Sequence, residues 1–147
     1  MIKITADSTA DLGDYFLERN IGIFPLSVIL GDDTFDDGFD VTPDKIYDFV
    51  AKTGKLPKTA AKGVEDYKEF FEKLTADGSS VIHFDISKEL SSSNDHAAAA
   101  AAQMKNVYVI DSKSLSTGTG LLAMYAADLR DEGKLSAKEI YEKCLAR

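Results

Sequence analysis

The stretch from residue 80 to residue 103 constrains the fold of this chain more than any other. It begins with a short apolar segment, residues 81–86, whose length and β-branched residues are typical of a buried strand. Six consecutive alanines, Ala97–Ala102, follow, and alanine is the strongest helix former. A buried strand followed by a helix is typical of a parallel sheet that is covered by helices.

Three consecutive serines, Ser91–Ser93, separate this strand from this helix. A serine at a helix start can cap the helix by accepting a hydrogen bond from a backbone N–H. A serine at the carboxyl end of a parallel strand can also present its hydroxyl to an anionic or polar ligand, beside the free N–H groups of the first helical turn. One serine is enough for a cap, so three in succession favour ligand binding.

Strand and helix patterns alternate through the rest of the chain. Apolar runs predict further strands over residues 2–5, 21–30 and 106–111. Apolar residues at spacings of three and four, together with capping signals, predict helices around the alanine run and elsewhere. The other helices are expected over residues 11–19, 43–53, 64–76, 121–132 and from Ser136 onward.

Four of these helices carry apolar stripes that should face the core. The stripes, in chain order, are Leu12, Phe16 and Leu17; Ile46, Phe49 and Val50; Tyr67, Phe70, Phe71 and Leu74; and Ile140, Cys144 and Leu145. The last helix reaches Arg147 without a Gly or Pro stop signal, which indicates that further protein follows.

The connections differ in character. Pro25 cannot donate to a strand ladder, so it indicates an edge, a bend or a bulge within residues 21–30. Turn residues around isolated aromatics predict a hairpin or an excursion from the sheet over residues 31–41. Residues 56–63 are expected to form a loop.

The order of elements predicts one α/β domain over residues 1–147. Alternating strands and helices form a mostly parallel sheet with helices on both faces, which is a three-layer sandwich.

Charge and composition exclude several classes of partner. The formal net charge is −8, whereas nucleic acids and anionic membrane surfaces require a basic patch. No apolar run approaches the roughly 20 residues of a membrane-spanning helix, and the residues after Met1 lack a signal-peptide pattern. The single cysteine, Cys144, fits a reducing cytoplasm and is expected to be a buried, inert thiol.

Hydroxyl groups are concentrated where ligands bind in such folds. Ligands of parallel α/β sheets lie outside the carboxyl ends of the strands. Three predicted loops converge there: residues 7–9, Ser91–Ser93 and residues 112–119, and Thr59 can join them. The sequence therefore predicts a neutral, hydroxyl-lined pocket that orients a polar head group.

Enzymatic and metal chemistry find little support in the residues. A serine hydrolase needs a nucleophile, a base and an acid, but there is no G-x-S-x-G elbow. His83 lies inside a strand, and His96 and Asp95 are consecutive helix residues that point to different sides. There is no phosphate-binding glycine loop and no cluster with metal-ligand spacing. The aspartates at residues 32–33 and 36–37 lack calcium-loop spacing and are interpreted as solvated turn residues.

A set of short motifs resembles the DegV family, the bacterial fatty-acid-binding proteins of FakB type. The motifs are DSTADL at residues 7–12, FPL at 24–26, DG at 37–38, PKT at 57–59, ISKELSSS at 86–93 and VIDS at 109–112, followed by Ser116, Gly118 and Gly120. Their order and spacing match across nearly the whole chain.

The resemblance implies a cytoplasmic protein of phospholipid metabolism that is about twice this long, with only its N-terminal domain present here. It implies no catalysis and no cofactor other than a bound long-chain fatty acid, which is presented to a separate fatty-acid kinase. Thr59 and Ser91 fall on the family positions that hold the acid's carboxyl group. Ser92, Ser93, Ser8 and Ser116 are possible further pocket residues, although Ser8 and Ser112 are better interpreted as structural caps.

Some residues depart from the family pattern. Residues 60–63 (AAKG) replace Ser-Gln-Pro-Ser, which removes a hydroxyl, and Ser92-Ser93 replaces Gly-Thr. The spacing of Thr59 and Ser91 alone is more typical of helix capping and loop hydrogen bonding, and the resemblance is what favours ligand contact. A small hydrolase, or a phosphate- or sugar-binding module that uses the serine-rich loops, is the rival hypothesis.

Overall fold

The computed structural model describes the whole chain, residues 1–147. The strands are β1 (Ile2–Asp7), β2 (Ile21–Phe24), β3 (Ser27–Leu30), β4 (Asp33–Asp36), β5 (Lys58–Ala60), β6 (Ser80–Asp85) and β7 (Val107–Asp111). The helices are α1 (Tyr15–Glu18), α2 (Pro43–Thr53), α3 (Val64–Thr75), α4 (Ser93–Ala101), α5 (Thr117–Glu132) and α6 (Ala137–Leu145), and a 3₁₀ turn spans Ser8–Ala10.

The main sheet has four parallel strands in the order β2-β1-β6-β7. Ile4 of β1 lies opposite Ile82 of β6 and Ile21 of β2. This register brings the carboxyl ends of β1 and β6 together, with Ala6 beside Phe84. The predicted parallel sheet is confirmed.

Side chains alternate between the two faces of this sheet, and each face is covered by helices. Ile4, Ile82 and Phe84 pack against residues of α5 and α6 such as Ala123 and Ile140. On the opposite face, residues of β6 and β7 pack against α3 and α4. The predicted three-layer sandwich with helices on both faces is therefore confirmed.

A second, smaller sheet holds three antiparallel strands in the order β4-β3-β5. The chain leaves the main sheet after Phe24, at Pro25, so the predicted single strand over residues 21–30 is in fact two strands in different sheets. The predicted hairpin is present as β3 and β4. The predicted loop over residues 56–63 is wrong in part, because residues 58–60 form β5 and pair with β3.

The first predicted helix is shorter than expected. A 3₁₀ turn ends at Asp11, which has the left-handed φ of 50°, and Gly13 has a φ of 51°. These conformations keep the α-helix from starting before Tyr15. With a single turn of helix only Phe16 is buried, and Leu17 is 81% exposed rather than part of the core.

The last helix buries Ile140 and Cys144 as expected. The prediction that Leu145 lies in the core is wrong, because this residue is largely exposed. The N-terminal capping box of this helix is confirmed: Ser136 accepts a hydrogen bond from the Glu139 N–H, and the Glu139 carboxylate accepts one from the Ser136 N–H. None of the helices combines the length and the apolarity that crossing a bilayer requires.

Burial of Cys144 generates a prediction about its reactivity. Desolvation raises the pKa of this thiol to about 11. Because the thiolate is the reactive form, about one thiol in a thousand is ionised at pH 8. Ellman's reagent should therefore label the native protein at least about tenfold more slowly than the guanidinium-unfolded chain, and the native rate should rise with pH up to about 11. Equal rates in the two states would show that Cys144 is accessible.

Candidate functional site

A cavity of about 400 Å³ lies where the carboxyl ends of β1 and β6 meet the small sheet. This volume is within the range of small-molecule sites. The residues of its wall are Thr9, Leu26, Ser27, Val28, Asp37, Thr59, Ala60, Ala61, Ile86, Leu90, Ser91, Ser92 and Leu115. Residues from all three serine- and threonine-containing loops, together with Thr59, therefore share one cavity.

Thr59 reaches this wall from β5. Its backbone is held opposite Val28 of β3 by antiparallel pairing. Its side-chain hydroxyl makes no hydrogen bond within the protein, and the residue is exposed. Thr59 does not cap α3, because Gly63 precedes that helix. The Thr59 hydroxyl is thus free to bond to a ligand.

Ser91 reaches the same wall from the loop after β6, and it is half-buried. Its Oγ accepts a hydrogen bond from the Ser93 N–H at 3.2 Å and lies 2.9 Å from the Ser93 Oγ. Ser92 immediately precedes α4 and provides no side-chain cap. Ser91 therefore takes part in the local structure of the helix start and also borders the cavity.

The other predicted pocket residues divide into two groups. Ser92 lines the cavity beside Ser91. Ser93 is fully buried behind Ser91, and Ser8 accepts a hydrogen bond from the Leu26 N–H, so neither borders the cavity. Ser116 does not border it either; this residue precedes α5 with a φ of 56° and makes no cap.

Two wall residues, Ser27 and Asp37, were not predicted from the sequence. Ser27 is buried in β3, and its hydroxyl has no partner within the protein. The only sequence signal was a polar residue that interrupts an apolar run.

Asp37 is the one carboxylate of the wall, which contains no Lys or Arg. The cavity therefore offers hydroxyls, not cations, to an acidic head group.

Asp7 holds the two loops that border the cavity. It is fully buried at the end of β1. Its Oδ1 accepts hydrogen bonds from the Thr9 N–H at 2.9 Å and the Thr9 hydroxyl at 2.6 Å, and its Oδ2 accepts one from the Ile86 N–H at 2.7 Å. Burial raises the pKa of Asp7, and these hydrogen bonds oppose the rise because they favour the ionised carboxylate.

A buried polar chain lies behind the cavity, between the sheet and α3. The Thr5 hydroxyl is 2.8 Å from His83 Nδ1, and His83 Nε2 is 3.1 Å from Asp85 Oδ1. The Tyr67 hydroxyl donates to the same Asp85 oxygen at 2.9 Å. Burial, with the nearby Asp85, raises the pKa of Tyr67 far above its ordinary value.

This threonine, histidine and aspartate resemble the residue types of a hydrolytic triad, but their side chains are at most 1% exposed. No substrate can reach them.

His96, the other histidine, makes a hydrogen bond away from the serines, since its Nδ1 lies 2.7 Å from the Lys62 carbonyl oxygen. The serine-rich loop therefore has no accessible base, and no group of three or more His, Cys, Asp or Glu side chains could hold a metal ion.

A second hollow, of about 500 Å³, lies beside α3 and has a different chemistry. Its charged residues are Asp36, Asp40, Lys62, Asp66, Glu69 and Lys73. The hollow has no serine or threonine, and four of these six charges are negative. It suits an acidic head group less well than the cavity at Thr59 and Ser91.

Comparison with known proteins places the chain among relatives of one kind. The family model described as "Uncharacterised protein, DegV family" matches residues 1–146. A "DegV domain-containing protein" of Listeria monocytogenes is 29% identical over 144 residues, which are 97% of this chain and 52% of that protein. One from Staphylococcus aureus is 33% identical over 95% of this chain and 50% of its own length. The chain spans about half the length of these curated relatives.

Solved structures give the same result for the fold. DegV of Bacillus subtilis, described as a fatty acid binding protein, superposes with a TM-score of 0.89 at 26% identity, over 97% of this chain and 52% of that one. A stearic-acid-binding protein of Eubacterium ventriosum superposes with a TM-score of 0.86 at 31% identity, over 98% of this chain and 52% of that one.

The role of Asp7 can be tested by its removal. Asp7→Ala leaves three buried or half-buried donors on Thr9 and Ile86 without an acceptor, so the free energy of unfolding should fall by about 2–4 kcal/mol. Urea unfolding followed by circular dichroism measures this change. Asp14→Ala, at an exposed aspartate whose side chain makes no hydrogen bond, is the control and should change stability by less than about 0.5 kcal/mol. A similar stability for both variants would show that Asp7 does not hold the loops.

Proposed function

The chain belongs to the DegV family, and on this premise we propose that it binds a long-chain fatty acid whose carboxyl group lies between Thr59 and Ser91. The observation that carries the proposal is that these two residues, one in β5 and the other in the loop after β6, line one cavity. Both can donate a hydrogen bond to a carboxylate without adding a charge.

The position of α4 supports the recognition of an acid. The cavity borders Ser91 and Ser92 at the N-terminus of this nine-residue helix. The unpaired N–H groups of a first helical turn and the helix dipole stabilise nearby negative charge. This stabilisation compensates in part for the absence of Lys and Arg from the wall.

The apolar part of the wall supports the recognition of a lipid tail. Leu26, Val28 and Ile86 line the cavity beside the hydroxyls. Leu90 and Leu115 also border it and are 62% and 53% exposed, so they present apolar surface that a hydrocarbon chain can cover. Each methylene that is removed from water contributes about 0.8 kcal/mol.

The relatives support the same ligand class, since the solved structures from B. subtilis and E. ventriosum are described as binding fatty acids.

We propose further that the protein is not an enzyme, because the only histidine–carboxylate pair near the cavity is sealed from it. It would act in the cytoplasm and present its acid to a separate fatty-acid kinase. Residues 1–147 would be the first of two domains, the second contributing further head-group contacts.

The double variant Thr59→Val and Ser91→Ala tests the head-group assignment. Losing two donors should weaken binding of tetradecanoic acid by roughly ten- to a hundredfold while the fold is kept. Native mass spectrometry and equilibrium dialysis measure retention. The matched control is Thr34→Val with Ser80→Ala, which changes an exposed strand threonine and a half-buried serine whose hydroxyls make no hydrogen bond. Unchanged retention in the double variant would mean that other residues hold the acid.

Asp37 should oppose the binding of an anion. Its carboxylate and a bound fatty-acid carboxylate repel each other in the same cavity, so Asp37→Asn should strengthen acid binding by about threefold. Tetradecan-1-ol, which carries no charge, should bind the two proteins equally and serves as the internal control. Weaker acid binding by Asp37→Asn would show instead that Asp37 supports the head group.

A further inference from the structure

Ser93 is a fully buried residue that contacts Ser91 but does not itself border the cavity. It is the first residue of α4 and is 0% exposed. Its N–H donates to the Ser91 Oγ at 3.2 Å, and its own Oγ lies 2.9 Å from the same atom. Two groups of one buried residue therefore contact the hydroxyl that faces the cavity.

The hydrogen-bonding capacity of Ser91 limits what it can offer to a ligand. A serine hydroxyl has one proton and two acceptor lone pairs. The Ser93 N–H occupies one lone pair. If the Ser93 hydroxyl also donates to Ser91, the second lone pair is occupied, and the only group that Ser91 can offer is its proton. If Ser91 donates to Ser93 instead, it offers the cavity a lone pair and no proton.

The Tyr67 hydroxyl is used elsewhere. Its ring is fixed in the core, with its centroid 4.2 Å from that of Phe24, and its hydroxyl proton is used by Asp85. The only hydrogen bond of the Ser93 hydroxyl is the one to Ser91. Ser91 is therefore the partner to which the Ser93 proton can be directed.

We propose that Ser93 is a positioning residue which, by donating to Ser91, makes Ser91 a donor toward the cavity and selects a head group that only accepts hydrogen bonds. This inference rests on the proposed function and adds to it the basis of head-group selectivity. A bound carboxylate accepts a hydrogen bond from the Ser91 hydroxyl, while the Ser93 hydroxyl donates to Ser91. A fatty alcohol gains less from this arrangement, because its hydroxyl can bond to Ser91 in either orientation.

The test compares two ligands that have the same tail. Tetradecanoic acid and tetradecan-1-ol are bound to the wild-type chain and to Ser93→Ala, and both dissociation constants are measured by equilibrium dialysis. Ser93→Ala leaves a lone pair of Ser91 unoccupied, so acid binding should weaken by about three- to tenfold while alcohol binding changes by less than about twofold. Ser79→Ala, at a buried serine beside the other end of β6, is the control and should change neither constant.

The comparison of the two ligands also separates this role from a structural one. A purely structural role for Ser93 would change the binding of both ligands together.

The outcomes separate the two proposals. If the wild-type chain binds neither ligand, the proposed function is wrong. If it binds the acid, but Ser93→Ala leaves the ratio of acid to alcohol affinity unchanged, the role of Ser93 is wrong while the proposed function stands.

Discussion

The site depends on one buried carboxylate, that of Asp7. Parallel pairing of β1 with β6 places the ends of the two strands side by side, and Asp7 bonds to both following loops. Burying a carboxylate is unfavourable unless donors surround it, and here two N–H groups and one hydroxyl do so. Thr9 and Ile86, which these bonds hold, are both part of the cavity wall. The geometry of the cavity thus depends on the hydrogen bonds of one buried side chain.

The two faces of the main sheet have different chemistry, and the difference explains where a ligand can bind. The face toward α5 and α6 carries mainly apolar side chains, such as Ile4, Ile82 and Phe84. The face toward α3 carries Thr5, His83 and Asp85 among its packed aromatic rings. These groups satisfy one another, apart from Asp85 Oδ2. Being sealed, they cannot contact a ligand directly.

Periodic elements were predictable, whereas short and exposed ones were not. β6 and α4 follow from their residues, because a β-branched apolar run and an alanine run have strong local preferences. β5 has no such pattern: its three residues are all exposed, and only pairing with β3 makes them a strand. Ser27 was not predictable as a site residue because it lies within an apolar strand. Whether its side chain borders a cavity depends on residues that are distant in sequence.

The sequence by itself determined the parallel α/β sandwich and the gathering of hydroxyls near the strand ends, because apolar periodicity and turn residues act locally. Only the tertiary structure decided that Thr59 and Ser91 share a cavity and that Asp37 joins the wall. These relations depend on pairing between β3 and β5 and on the burial of Asp7. Such contacts join residues that are far apart in the chain. The free energy that they contribute therefore cannot be read from the helix or strand preference of any single segment.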